Sequence, residues 1–223
     1  MSALDAPLRQ GLSALALTLT DEQVSRLLAY LDLIQKWTKV YNLTAVRDPA
    51  EMLTHHLLDS LAVVEPLRKQ LSATCGAVDS IDGQAEMRLL DVGSGAGLPG
   101  VVIAICCPEI TVHCVDTVAK KAAFIQQVAV TLKLPSLKGI HARVENLTDS
   151  YQVISSRAFA SLLDFTNWSG HALAEQGIWM AMKGKHPAEE MASLPQNVNV
   201  FHVEQLDVPG LGAERCVIWM RRT

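Results

Sequence analysis

The sequence is poor in several things whose scarcity narrows its class. Its five cysteines are odd in number and form no Cys-x-x-Cys pair, and Cys106, Cys107 and Cys114 sit in apolar runs. This pattern speaks against a disulfide framework and a metal site, and for buried free thiols in a reducing compartment. Long hydrophobic runs are missing too. The run near the glycine-rich segment, residues 101–107, is far short of the roughly 20 apolar residues needed to cross a bilayer. The first residues include Asp5 and show no basic cluster ahead of an apolar stretch, so no secretory signal is visible and a cytoplasmic location is expected. Positive charge is not in excess: 19 Lys and Arg stand against 23 Asp and Glu, a formal net charge of −4, which argues against indiscriminate nucleic-acid binding. One segment nevertheless lacks acidic residues altogether. Residues 117–144 carry Lys120, Lys121, Lys133, Lys138 and Arg143 without a single Asp or Glu, a pattern that suits a solvated helix face or local recognition of an anionic partner.

What remains is ample for a core. At 49% apolar and 19% charged over 223 residues, the chain is expected to form one core-bearing domain with an appendage. The appendage, residues 1–70, reads as helical. Thr20 and Gln23 form a capping box ahead of an apolar face made by Val24, Leu27, Leu28, Leu31 and Ile34. Asp48-Pro49 with Glu51 starts a second helix, whose stripe includes Met52, Leu57, Leu58 and Leu61. Residues 71–86 are small and polar without a period, and read as a linker or surface loop. From residue 87 to 223 strands alternate with helices. Strands are expected at 87–92, 109–116, within 137–144, at 152–156 and at 178–182, with helices at 99–107, 119–132, 161–174 and about 187–194. Residues 198–203 and 214–220 close the chain as an antiparallel pair. This order predicts an α/β fold, a mostly parallel sheet with helices on both faces and its ligands at the carboxyl ends of the strands.

The junction of the first strand with the first helix of this domain reads Leu89-Leu90-Asp91-Val92-Gly93-Ser94-Gly95-Ala96-Gly97-Leu98-Pro99-Gly100. A triphosphate-binding loop needs Lys and Ser or Thr after its glycines, and Leu98-Pro99-Gly100 has neither. A dinucleotide fingerprint needs a glycine at position 98, where this chain has Leu, while Gly97 comes one residue early. An acidic residue followed by Gly-x-Gly-x-Gly remains, and that spacing suits S-adenosylmethionine, which brings no pyrophosphate to be seated. Asp91 can fix the loop or receive the cofactor's ammonium, directly or through water. Gly93, Gly95 and Gly97 permit close approach. Asp116, at the end of the next strand, can accept the ribose hydroxyls. Val144 and Glu145 frame adenine or simply end the third strand.

At this point the sequence also resembles a known family. Tyr41-Asn42-Leu43-Thr44, His55-His56-Leu57-Leu58-Asp59-Ser60, the glycine segment through Gly100, Ser156-Arg157-Ala158-Phe159-Ala160, Met182-Lys183-Gly184 and Glu214-Arg215 occur in this order. Together they are similar to the bacterial glucose-inhibited division protein B family, the small-subunit ribosomal RNA guanine-N7 methyltransferases. The resemblance implies the class I methyltransferase fold, a seven-stranded mostly parallel sheet with an N-terminal helical segment. It implies methyl transfer from S-adenosyl-L-methionine to N7 of a guanine in the conserved decoding-region loop of 16S ribosomal RNA. It also implies cofactor contacts from Gly93, Leu98, Val144, Glu145 and Arg157, and an active cleft faced by Asn42, His56, Asp59, Arg157 and Lys183. The expected partner is 16S ribosomal RNA within a small-subunit or precursor particle, with no membrane and a monomeric enzyme. Cys216 stands where relatives commonly have His, and the segment before residue 87 is longer than usual.

Guanine N7 carries a free lone pair, so its methylation calls for alignment and tolerance of positive charge rather than a catalytic triad or a metal. Arg157 can read O6, hold phosphate or make a structural ion pair, and Lys183 follows an apolar strand at a typical site position. His55 and His56 point in different directions, and Asp59, one turn on, can orient an imidazole. Trp37 and Tyr41 can stack on a flipped base, with core packing the simpler use of Trp37. A small-molecule methyltransferase with the same cofactor is the main alternative; a non-catalytic RNA-binding module and a nicotinamide dehydrogenase are further ones.

Overall fold

The structure is a computed structural model that describes residues 3–75 and 87–223. Its centre is a seven-stranded sheet of order β3-β2-β1-β4-β5-β7-β6. β1 (Arg88–Val92), β2 (Thr111–Asp116), β3 (Leu137–His141), β4 (Tyr151–Arg157) and β5 (Leu173–Lys183) are parallel, while β6 (Val198–Gln205) and β7 (Cys216–Arg222) complete the sheet antiparallel to their neighbours. The central strands are buried on both faces, which explains their near-continuous apolar runs.

Two apolar clusters fill the faces. One packs α6 (Gly100–Cys106) and α7 (Ala119–Thr131), together with the N-terminal helices, against the sheet; the other packs α8 (Leu162–Ser169) on the opposite face. The N-terminal segment is therefore part of the main core, not a separate unit. Its α1 (Asp5–Ala14) and α2 (Asp21–Tyr41) contribute Leu8, Leu27 and Ile34, each without exposed surface. Full burial of such side chains contributes roughly 1.5–3 kcal/mol apiece.

The local rules account for the helix ends. Thr20 accepts the Gln23 N–H at 3.2 Å, and the Gln23 side chain accepts the Thr20 N–H at 3.0 Å, closing the capping box. α2 ends at Asn42, left-handed at φ +51°. α3 (Pro49–Met52) starts under Asp48, whose carboxylate accepts the Ala50 and Glu51 N–H groups. It does not then run on as a regular helix. Residues Leu53–Leu58 form a π-helical turn before α4 (Asp59–Leu61). From the end of this turn nine consecutive residues, 56–64, are buried, where one stripe was expected.

Other expectations also need correction. α5 (Val64–Cys75) carries the helix through residues 71–75, so the expected linker and the boundary at residue 70 fall inside it. The remainder of that linker, 76–86, lies outside the described residues. β5 begins at Leu173 rather than 178, and the helix before it stops at Ser169, followed by a single 3-10 turn over Gly170–Ala172. α9 (Ala188–Ala192) is a short surface helix with no buried residue. Cys106, Cys107, Cys114 and Cys216 are free and buried.

Candidate active site

Strand order reverses between β1 and β4, and the parallel strands end on one side of that point. The site lies there, as open α/β sheets favour. After Val92 the chain turns through Gly93, Gly95 and Gly97 at φ +65°, +59° and +90°. A Cβ at Gly93 would fall 2.4 Å from the Phe159 ring, and one at Gly97 would fall 2.4 Å from Val101 Cγ2. Conformation and space both require glycine at these two positions.

Four hydrogen-bonded anchors hold the loop. Gly93 N–H donates to Val115 O at 3.0 Å, Gly95 N–H to Asp116 Oδ2 at 3.0 Å, and the buried Tyr30 hydroxyl to Ala96 O at 2.6 Å. Asp91 works from beneath: Oδ2 accepts the Gly100 N–H at 3.0 Å and Oδ1 accepts the Ser155 hydroxyl at 2.9 Å. Burial pushes the Asp91 carboxyl up to about 6, against the pull of those two donors. Of the two roles open to Asp91, the geometry gives it the fixing of the loop.

Beside the loop opens a cleft of about 350 Å³ between the ends of β1 and β2 and the turn after β3, lined by Gly93, Asp116, Val144 and Glu145 among others. Asp116 and Glu145 offer acceptors for sugar hydroxyls, and Val92, Val115, Val118 and Val144 offer apolar walls to a purine. This donor set fits S-adenosylmethionine. Lys121 lies 3.5 Å from Asp116, and the exposed Trp168 also lines the cleft.

A second cleft of about 390 Å³ adjoins it, lined by His55, His56, Asp59, Arg157, Lys183 and Arg215 among others. Topology explains the gathering. Parallel β4 and β5 deliver Arg157 and Lys183 at their carboxyl ends, and antiparallel β7 brings its amino end, with Arg215, to the same edge. The π turn and α4 supply the remaining wall. Asp59, 3% exposed, accepts from Arg157 Nη1 and Arg215 Nε at 2.8 Å each, through different oxygens. Arg157 also donates to His55 O at 3.0 Å. Lys183 Nζ donates to Glu190 Oε2 at 2.8 Å and to Ala160 O at 3.3 Å, and Glu190 in turn accepts the Leu162 N–H at 2.7 Å. Burial would raise the Glu190 carboxyl, but Lys183 and the Leu162 N–H outweigh it and hold it below its ordinary value. Burial, reinforced by Arg157, pushes the His56 imidazole down, and its Nε2 lies 2.9 Å from Thr44 Oγ1.

The expected site residues therefore divide. Gly93, Asp116, Val144 and Glu145 line the first cleft; His56, Arg157 and Lys183 line the second. Gly95, Gly97 and Leu98 shape the loop without lining either cleft, and Arg157 lines the second cleft and not the first. Asn42 lines neither cleft. It caps α2 and accepts from Arg47 Nη2 at 2.7 Å. Asp59 orients two arginines rather than an imidazole. Of the histidine pair, His56 is buried and His55 exposed. Trp37 packs between Tyr41 and Phe124 at 5.0 and 5.2 Å between centroids. Cys216 is buried and pairs with Lys183 in the sheet. Phe159, Trp168, Arg215 and Tyr30 received no role from sequence. Phe159 and Arg215 stood inside singled-out motifs, while nothing local marks Tyr30 or Trp168.

Fold, glycine loop and cofactor cleft together define an S-adenosylmethionine-dependent methyltransferase of class I. TrmN from Thermus thermophilus shares the fold with a TM-score of 0.54 at 16% identity, over 77% of this chain and 53% of that one. A SAM-dependent methyltransferase from Aquifex aeolicus gives 0.52 at 13% identity, over 79% and 99% of the two chains. The family model GidB: rRNA small subunit methyltransferase G matches residues 23–218, and the chain belongs to that family. Two relatives named ribosomal RNA small subunit methyltransferase G agree with this. The one from Albidiferax ferrireducens is 69% identical over 100% of this chain and 99% of its own, and the one from Polaromonas sp. is 71% identical over 96% and 92%.

Proposed function

We propose that the protein transfers the methyl group of S-adenosylmethionine to N7 of a guanine in the conserved decoding-region loop of 16S ribosomal RNA. The observation that carries this reading is the pair of adjoining clefts: one fits the methyl donor, the other offers arginine and lysine to an anionic acceptor. S-adenosylmethionine supplies an electrophilic methyl on a sulfonium. The guanine N7 lone pair forms the new N–C bond while the C–S bond breaks with its electrons on sulfur, and no proton has to leave the base.

The chain's residues accordingly hold and orient. Arg157 and Arg215 present planar donors suited to phosphate or O6. With Asp59 between them, the two guanidiniums and one carboxylate carry a single net positive charge. Glu190 offsets Lys183 in the same way. A base that becomes cationic thus meets far less repulsion than three bare cations would impose. Burial and Arg157 push the His56 imidazole down in pKa, which favours its uncharged form.

The experiment is methyl transfer in vitro from labelled S-adenosylmethionine. Acceptors are small subunits lacking the native methylation, the naked 16S RNA extracted from them, and a metabolite pool. Label in the RNA of either of the first two arms supports the reading; label confined to a small metabolite supports the small-molecule alternative and refutes it. No helix among the described residues is long and apolar enough to cross a membrane.

A further inference from the structure

The methyl group has to pass between two clefts whose walls meet at one side chain. Among the described residues, Phe159 alone lines both the donor cleft and the acceptor cleft. Its ring rests on the backbone of Gly93, close enough that a Cβ there would meet it at 2.4 Å. Phe165 and Trp168 lie near-perpendicular to it, at 6.3 and 5.7 Å between centroids and interplanar angles of 73° and 83°. The ring is thus set between the glycine loop and two other aromatic side chains. The preceding residue, Ala158, lies at φ +52°, a left-handed conformation that costs an alanine free energy and persists where surrounding structure imposes it. Across this strained link the end of β4 divides its work, with Arg157 held on Asp59 and Phe159 placed in the partition.

From this placement we infer that Phe159 is a substrate-contacting residue of methyl transfer. Its ring is the apolar surface against which the acceptor guanine is aligned beside the donor, and its π-electrons face the positive charge that moves from sulfur to the base. The inference rests on the functional reading above. Its chemistry follows from the charge balance. The positive charge sits on the sulfonium before transfer and on the methylated guanine ring afterwards, so a group at the boundary serves both states if it attracts cations from either side. An aromatic ring does so through its quadrupole, and unlike an imidazole, amine or carboxylate it offers no lone pair to compete for the methyl. Purines also stack on such a ring.

Phe159→Leu keeps an apolar side chain against Gly93 and removes the π-system. With 16S RNA lacking its native methylation as acceptor, kcat is expected to fall about 10- to 100-fold, while S-adenosylhomocysteine affinity by calorimetry stays within about twofold of wild type and Tm changes little. Phe159→Tyr is expected to keep most of the wild-type kcat. Ala158→Gly, which relaxes the left-handed link, is expected to leave Tm unchanged or higher and yet to lower kcat. Wild-type kcat in Phe159→Leu would overturn the inference, as would a kcat loss matched by an equal loss of S-adenosylhomocysteine affinity. Either result would leave Phe159 as a cofactor-cleft wall. If Phe159→Leu does not fold, Phe159→Met carries the same comparison. A wild-type protein that methylates no small-subunit RNA refutes the functional reading instead, so the two failures are distinguishable.

Discussion

Asp59 and Asp91 are both buried carboxylates, and they do opposite things with their burial. Asp59 neutralises part of two guanidiniums that line the second cleft. Replacing it by Asn leaves an amide that can accept from one arginine but not pair both charges. Asp59→Asn is expected to lower stability by about 2–4 kcal/mol in urea melts and kcat/KM for RNA about 10- to 100-fold, with cofactor affinity little changed. Among the described residues no cation lies within hydrogen-bond reach of Asp91, whose oxygens accept from Gly100 and Ser155, and burial raises its pKa to about 6. Because this folded-state value lies above the unfolded one, the protonated form favours the fold. That contribution is full below about pH 4 and is lost as pH rises through about 6, a swing of about 3 kcal/mol. Relative to Asp91→Asn, the wild type is therefore expected to lose stability between pH 4 and 7; a flat difference in unfolding free energy would contradict the assignment. The glycine turn after β1 and the place of Asp116 at the end of β2 were legible in sequence, since spacing alone separates the candidate loops. The Asp59 clamp was not, because its partners lie 98 and 156 residues away and no local pattern marks such pairings.

Among the elements, α2 has a task beyond packing. It buries Tyr30 under the glycine loop, where the hydroxyl holds Ala96 O. Tyr30→Phe removes that hydrogen bond and leaves a buried carbonyl short of a donor, at a cost of about 1 kcal/mol. Its expected signature is weaker S-adenosylhomocysteine binding by calorimetry, about three- to tenfold, with the fold intact by circular dichroism. Unchanged affinity would mean that the loop holds its shape without α2. The start of this helix was readable because a capping box is written in three-residue spacing. The π turn after Met52 was not readable, because its wider turn shifts the apolar positions off the 3.6-residue period and the segment Leu53–Leu58 carries no local mark of that shift. The end of α5 was missed for a related reason. After Leu71, residues 72–75 are the small Ser, Ala, Thr and Cys, which set up no apolar period of their own, and their helix is a continuation of residues before them.

For the whole molecule, sequence reading drew a boundary that the core does not respect. N-terminal Leu27 and Ile34 belong to the same apolar cluster as Val101 and Ile125 of the sheet-covering helices. Composition carries no record of which apolar faces meet, so a helical appendage and a helical layer of one core look alike until the chain is folded. The strand and helix order of residues 87–223 was legible, and with it the side of the sheet that holds the site. What topology adds is the convergence there of Arg157, Lys183 and Arg215, cations from two parallel strand ends and one antiparallel strand start. The central claim is that this convergence serves methylation of a ribosomal guanine. It is tested most directly by mass-spectrometric mapping of 16S ribosomal RNA from cells with and without the gene for this chain. The account predicts the loss of one 7-methylguanosine in the decoding region and its return on complementation. An unchanged modification map would contradict it.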